Sequence, residues 1–205
     1  DNARVIIGKY AHWGSILRYR YVFEITSGTP DTDNGIFSSW TDYKTIKMKA
    51  KARHSGYIYN INAVRDYITS GEVDTYIFRR PTMSVTAIED NPSSGGGGSS
   101  GGGNSFQPGD TIETLTSQCD GSDVTVRSGT YTTVPVTGYQ RIQTTVTTLN
   151  GSLMEYTPPA GTTRVKYIYE FIMAPYSSHP LLNHSLYIDD VEVTKSRRIA
   201  SGSQH

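Results

Sequence analysis

Apolar and polar residues alternate with a period of two along most of the chain. In "LRYRYVFEI" (residues 17–25), Leu17, Tyr19, Tyr21 and Phe23 share one face, while Arg18, Arg20, Val22 and Glu24 share the other. "YKTIKMKAKA" repeats the pattern: Ile46, Met48, Ala50 and Ala52 oppose Thr45, Lys47, Lys49 and Lys51. A lysine at every second position reads as a solvated strand face that could also meet a polyanion. Further strands are predicted at "DTYIFRR", "TMSVTAIE", "DTIETLT", "DVTVRSGTYTTV", "QRIQTTVTTLN", "TRVKYIYEFIM" and "HSLYIDDVEV". Turn residues such as Asp33-Asn34-Gly35, Asp120-Gly121, Asn150-Gly151 and Pro158-Pro159 separate them. No segment carries an apolar helical stripe with a cap. Many short strands with turns between them predict an all-β antiparallel sandwich or jelly roll.

"NPSSGGGGSSGGGNS" (residues 91–105) interrupts the alternation. It has no side chains with which to pack and reads as a flexible connector. About fourteen such residues have an r.m.s. span near 20 Å by Gly-rich scaling. That length can join strand ends on one face of a domain or link two domains. Roughly ninety residues precede the tract and about a hundred follow it, enough for a small sandwich on each side.

Composition narrows the function classes. Nineteen basic residues balance nineteen acidic ones, so no global field draws in nucleic acid or an anionic membrane. Fifteen tyrosines, with plentiful valine and threonine, suit strands and suggest aromatic rings at the surface. No apolar run approaches the roughly 20 residues that span a bilayer, and the opening residues do not read as a signal peptide. The single cysteine, Cys119, reads as a small core or turn thiol rather than a nucleophile.

Candidate chemistry is sparse. His12, His54, His179, His184 and His205 have no partner at metal-site spacing, and His179 and His184 read as solvated loop residues flanking "PLLN". "PDTDNG" (residues 30–35) resembles half a calcium loop, but Asp42 stands where the closing glutamate belongs, so a turn is expected. "NGS" and "NHS" match the glycosylation pattern. No nucleophile elbow or phosphate loop is visible, and neither enzymatic activity, a cofactor nor a metal is expected.

The motifs "IETL…CDG…VTV.SGTYT" (residues 112–132), "YTPPAGT" (156–162) and "YIDDVEVTKSR" (187–197) resemble a β-rich domain of predicted virion and fibre proteins from marine phages and large algal viruses. "YRYVFEI" (19–25), "SSWTDYKTIKMKA" (38–50) and "PTMSVTAI" (81–88) resemble the segments that follow in that family, yet here they precede the tract. The segment 52–76 departs most from the family pattern. The resemblance implies one circularly permuted domain: residues 1–91 as the parent's C-terminal half, 92–105 as the connector, and 106–205 as its N-terminal half. It further implies a jelly roll of the tumour-necrosis-factor-like or complement-head-like kind, non-enzymatic and at a virion surface or outside the cell. Such a head would cap a fibre as a homotrimer. Strands like "VKYIYEFIM", apolar on both faces, are either central to a core or covered by a partner subunit. The alternative is a carbohydrate-binding module, in which exposed rings stack on sugars. Its candidate ligand-binding residues are Trp13, Tyr10 and His12 in one Gly-bounded loop, Tyr57 and Tyr59 in "SGYIYN", and Tyr176 with His179 in "APYSSHP". Trp40 is expected in the core. The two readings overlap where a fibre head binds a host-surface glycan.

Overall fold

A computed structural model describes residues 3–9, 14–66, 75–90, 109–175 and 181–201. Ahead of the Gly/Ser tract lie β1 (Ala3–Lys9), β2 (Ser15–Ile25), β3 (Ile36–Phe37), β4 (Lys44–Ala52), β5 (Tyr59–Ile61), β6 (Ala63–Asp66), β7 (Thr75–Phe78) and β8 (Thr82–Glu89). After it come β9 (Asp110–Ser117), β10 (Asp123–Val126), β11 (Gly129–Thr132), β12 (Gln140–Ile142), β13 (Thr147–Thr148), β14 (Met154–Tyr156), β15 (Arg164–Pro175), β16 (Leu181–Ile188), β17 (Val191–Glu192) and β18 (Arg198–Ser201). The antiparallel sheets pack as a sandwich, as the alternation predicts. No helix among the described residues is long and apolar enough to cross a membrane.

Strands from the two sides of the tract interleave in both principal sheets. In the first, β15 lies between β2 and β8, β1 pairs with β2, and β9 pairs with β8. In the second, β4 pairs with β13, β14 and β16, and β16 carries β17 and β18. One apolar core joins them. Leu17, Tyr19, Tyr21 and Phe23 of β2 sit beside Val165, Tyr167, Tyr169 and Phe171 of β15, with Ile46, Met48, Leu182 and Leu186 from the second sheet in the same core. The "VKYIYEFIM" strand is therefore central. Its inward row is buried, and Lys166, Ile168, Glu170 and Ile172 on its outer face are partly exposed.

The described tyrosines divide between surface and core, with Tyr43 and Tyr139 exposed as the composition suggests. Tyr19, Tyr21, Tyr59, Tyr156, Tyr167 and Tyr169 are fully buried. Most of these hydroxyls reach acceptors at the edge of the core: Tyr19 donates to the Ser196 carbonyl at 2.8 Å, Tyr167 to the Ser152 carbonyl at 2.6 Å and Tyr169 to the Asn150 carbonyl at 2.6 Å. A buried hydroxyl costs free energy unless it is bonded, so the length of tyrosine suits a position that spans the core and ends on a turn carbonyl. At one such turn Gly151 is indispensable. Its φ is +84°, and an added Cβ would lie 2.7 Å from a Val136 methyl.

Glu89 and Asp110 are antiparallel partners, so the tract closes a gap that a tight hairpin could close. Replacing residues 91–108 with a short turn is expected to raise stability by about 1–1.5 kcal/mol, because closing a shorter loop costs less entropy. A higher urea midpoint at unchanged slope would register this gain. A lower midpoint would mean that the long connection relieves strain at the β8–β9 end.

Candidate functional site

The outward row of β4 and its neighbours build a groove on the second sheet. Register places Lys51 opposite Asn183 and Lys49 opposite Ser185, while Asn183 also pairs with Ile199 of β18. Because alternate side chains leave the sheet on the same side, these residues share one face. The groove has a volume of about 690 Å³ and is lined also by Tyr187, Glu192, Arg197, Arg198 and Val146.

Its charges are ordered. Asp190 Oδ1 receives Lys47 Nζ at 2.6 Å and Lys49 Nζ at 3.3 Å. These hydrogen bonds hold the Asp190 carboxyl below the usual carboxylate range. Lys49 Nζ also lies 4.2 Å from the centre of the Tyr187 ring. Arg197 forms a two-pronged pair with Glu192 at 2.9 and 2.7 Å, which lowers the Glu192 pKa. Lys51 is exposed and forms no ion pair among the described residues. The turn between β16 and β17, with Asp189 and Asp190 both at positive φ, aims these carboxylates back at β4. Asp189 accepts from Lys44 Nζ at 3.0 Å and from the Thr45 amide at 2.9 Å.

Beneath the groove lies His184. The expectation of a solvated loop histidine is corrected: "LLNHSLYI" is strand β16, and its inward row is Leu182, His184, Leu186 and Ile188. The ring is buried and stands edge-on to Tyr19 at 5.4 Å, and its nitrogens make no hydrogen bond of good geometry, the Leu182 backbone giving only a weak polar contact. Burial pushes its pKa down to about 4; the Arg198 charge adds to the shift and the Leu182 backbone opposes it. An inward ring cannot pair with a loop residue to hold a surface metal.

The proposed sugar-stacking residues divide. Trp13, Tyr10, His12, Tyr176 and His179 lie outside the described residues. Tyr59 is corrected: it is in β5, fully buried, and pairs in register with Ile142 and Pro175. Its row in "YNI" points into the core, so it offers no face to a ligand. Tyr57 is half-buried and packs edge-on to His54 at 5.8 Å, away from the groove lining. Trp40 is in the core as expected, its indole N–H donating to the Tyr156 carbonyl at 3.0 Å. A smaller cleft of about 380 Å³ lies between Ser38, Ser39 and the Pro158–Pro159 turn.

The three motifs after the tract serve the fold. Glu113 of "IETL" accepts from the Ser128 amide at 2.8 Å, the Ser128 hydroxyl at 2.5 Å and the Tyr156 hydroxyl at 2.6 Å. Tyr131 of "SGTYT" donates to the Thr157 carbonyl of "YTPPAGT" at 2.8 Å. "YIDDVEVTKSR" supplies Tyr187, Glu192 and Arg197 of the groove lining and Asp190, which pairs with Lys49 beside it, and Ser196 Oγ accepts the Leu186 amide at 2.8 Å. Cys119 is buried, its thiol donates to the Gly151 carbonyl at 3.2 Å, and burial pushes its pKa up to about 12. A thiol so protonated is a poor nucleophile. The described residues contain no group of three or more His, Cys, Asp or Glu arranged to hold a metal ion. The Asp31–Gly35 stretch forms a turn in which Asp31 Oδ1 accepts the Asn34 amide at 3.2 Å.

Against known proteins, no family model matches this chain, and neither a curated protein nor a solved structure was found to match it.

Proposed function

We propose that this chain is a non-enzymatic surface or fibre-head module, a jelly roll with circularly permuted strand order, that attaches to carbohydrate. The observation that carries the reading is the strand order. Follow the chain from β9 to β18 and then from β1 to β8. The principal strands become β9, β13/β14, β15, β16, β18, β2, β4 and β8, first to eighth. The sheets then run first–eighth–third–sixth and second–seventh–fourth–fifth. That is the order produced when two Greek keys wind a jelly roll. The paired ends at Glu89 and Asp110 fit former termini lying side by side.

Attachment rests on the groove, where an amide, cations and the exposed Val146 and Ile199 meet on an open sheet face. A homotrimer belongs to the same proposal through the partly exposed Ile168 and Ile172 of β15.

A rearranged chain, residues 106–205 followed directly by 1–91, tests the order. It is expected to unfold in one cooperative transition with the same far-ultraviolet spectrum, and a chain that does not fold would reject the permutation. On a glycan array the protein is expected to hold a defined subset of saccharides. Binding to none would remove the attachment role, and a sharp monomer by light scattering would remove the trimer.

A further inference from the structure

We infer that the groove on the β4–β16–β18 face takes an acidic saccharide, one bearing sulfate or carboxylate groups; this deepens, and rests on, the attachment reading. Four cations line the groove, Lys49, Lys51, Arg197 and Arg198, against Glu192, which Arg197 holds two-pronged, and Asp190, which pairs with Lys49 from beside the lining, so cations outnumber carboxylates. The field inside is therefore positive although the whole chain is neutral. Asp190 fixes Lys47 and Lys49 in place, which lowers the side-chain entropy that a ligand contact must overcome. Lys51, with no ion pair among the described residues, is the charge most open to an incoming anion.

The rest of the lining favours a sugar over other anions. Asn183, partly exposed and opposite Lys51, presents an amide suited to ring hydroxyls, while the buried Ser185 hydroxyl helps to hold Glu192. Val146 and Ile199, 48% and 56% exposed, give apolar contact for the C–H face of a pyranose. The volume lies within the usual range for small ligands, about 300–1,000 Å³. A nucleic acid needs a longer basic track with free rings on which bases stack. Here Lys49 stands over the Tyr187 ring, and the chain carries no net charge.

Calorimetric titration with a sulfated tetrasaccharide tests the inference, with a neutral maltotetraose and a DNA tetranucleotide for comparison. The sulfated ligand is expected to bind best and to weaken with rising salt. Lys51→Glu should weaken it about tenfold, and Lys51→Arg should retain it. Ile199→Asp, at a position exposed enough to leave the fold intact, should weaken it in the same direction. An unchanged thermal midpoint for each variant makes the loss a binding effect. Equal affinity for the DNA, no binding of the sulfated ligand, or indifference to both charge-altering variants would overturn the acidic-saccharide site. Retained binding of a neutral glycan in such a case would leave the attachment reading standing; no binding across a glycan array would remove both.

Discussion

Glu113→Ala is expected to cost about 3 kcal/mol, because it removes an acceptor shared by three donors and truncates a nearly enclosed side chain. The carboxylate is nearly enclosed and takes three donors, from the Ser128 amide, the Ser128 hydroxyl and the Tyr156 hydroxyl. Removing it leaves the buried Tyr156 hydroxyl without its acceptor, frees the part-buried Ser128 and leaves a cavity. In a domain of about two hundred residues each kcal/mol lowers the thermal midpoint by roughly 2–4 °C, so a fall of about 10 °C is expected in calorimetry. Glu113→Gln should lose less, since one oxygen remains to accept while the new amide group meets a donor. The double variant Glu113→Leu with Tyr156→Phe should recover part of the loss, because it removes a buried donor together with its acceptor. If Glu113→Ala melts within about 2 °C of the parent, less than 1 kcal/mol, the network contributes little and the motif residues need another explanation.

Acid is expected to weaken the fold through His184. Its folded pKa, near 4, lies below the value of about 6.5 for an unfolded histidine. Between these values the unfolded chain binds the proton and the folded chain does not. Stability is therefore fully present above about pH 6.5 and declines as pH falls toward 4. A shift of this size is worth about 3 kcal/mol. The upper part of the window, from about pH 6.5 to about 4.5, belongs to His184, because lowered carboxylates such as Asp190 and Glu192 release their share further down. Urea midpoints measured at about pH 7 and about pH 4.5 should differ in the parent and converge in His184→Phe, a ring substitution that needs no hydrogen bond. An unchanged difference in that variant would assign the acid sensitivity elsewhere.

Much of the fold is legible in the sequence because strand burial leaves a period-two imprint. β2, β4, β8, β9, β15 and β16 follow the alternation closely. "QRIQTTVTTLN" reads as one strand but divides into β12 and β13. Gln140 reaches across the break, its amide donating to the Thr148 carbonyl and its oxygen accepting the Asn150 amide. A local pattern cannot announce such a side-chain clasp. His184 and Tyr59 depart from expectation for the opposite reason. Each sits in an inward row whose other members are plainly apolar, so the row fixes the side chain's direction even where its polar atoms suggest a surface. The groove is half legible: the lysine row stands out in β4, but its partners Asn183, Ser185 and Ile199 arrive only through pairing with distant strands. The tyrosine hydroxyls leave no signal either, because their acceptors are turn carbonyls brought near by tertiary packing.

Interleaving also governs how the molecule comes into being on the ribosome. β2 and β8 emerge long before β15, the strand that must slot between them. Until it does, the nascent chain carries two open strand edges with nothing to zip against, the state most prone to pairing with a stranger. Folding must wait for the second half of the message, and slow closure follows directly from where one strand lies.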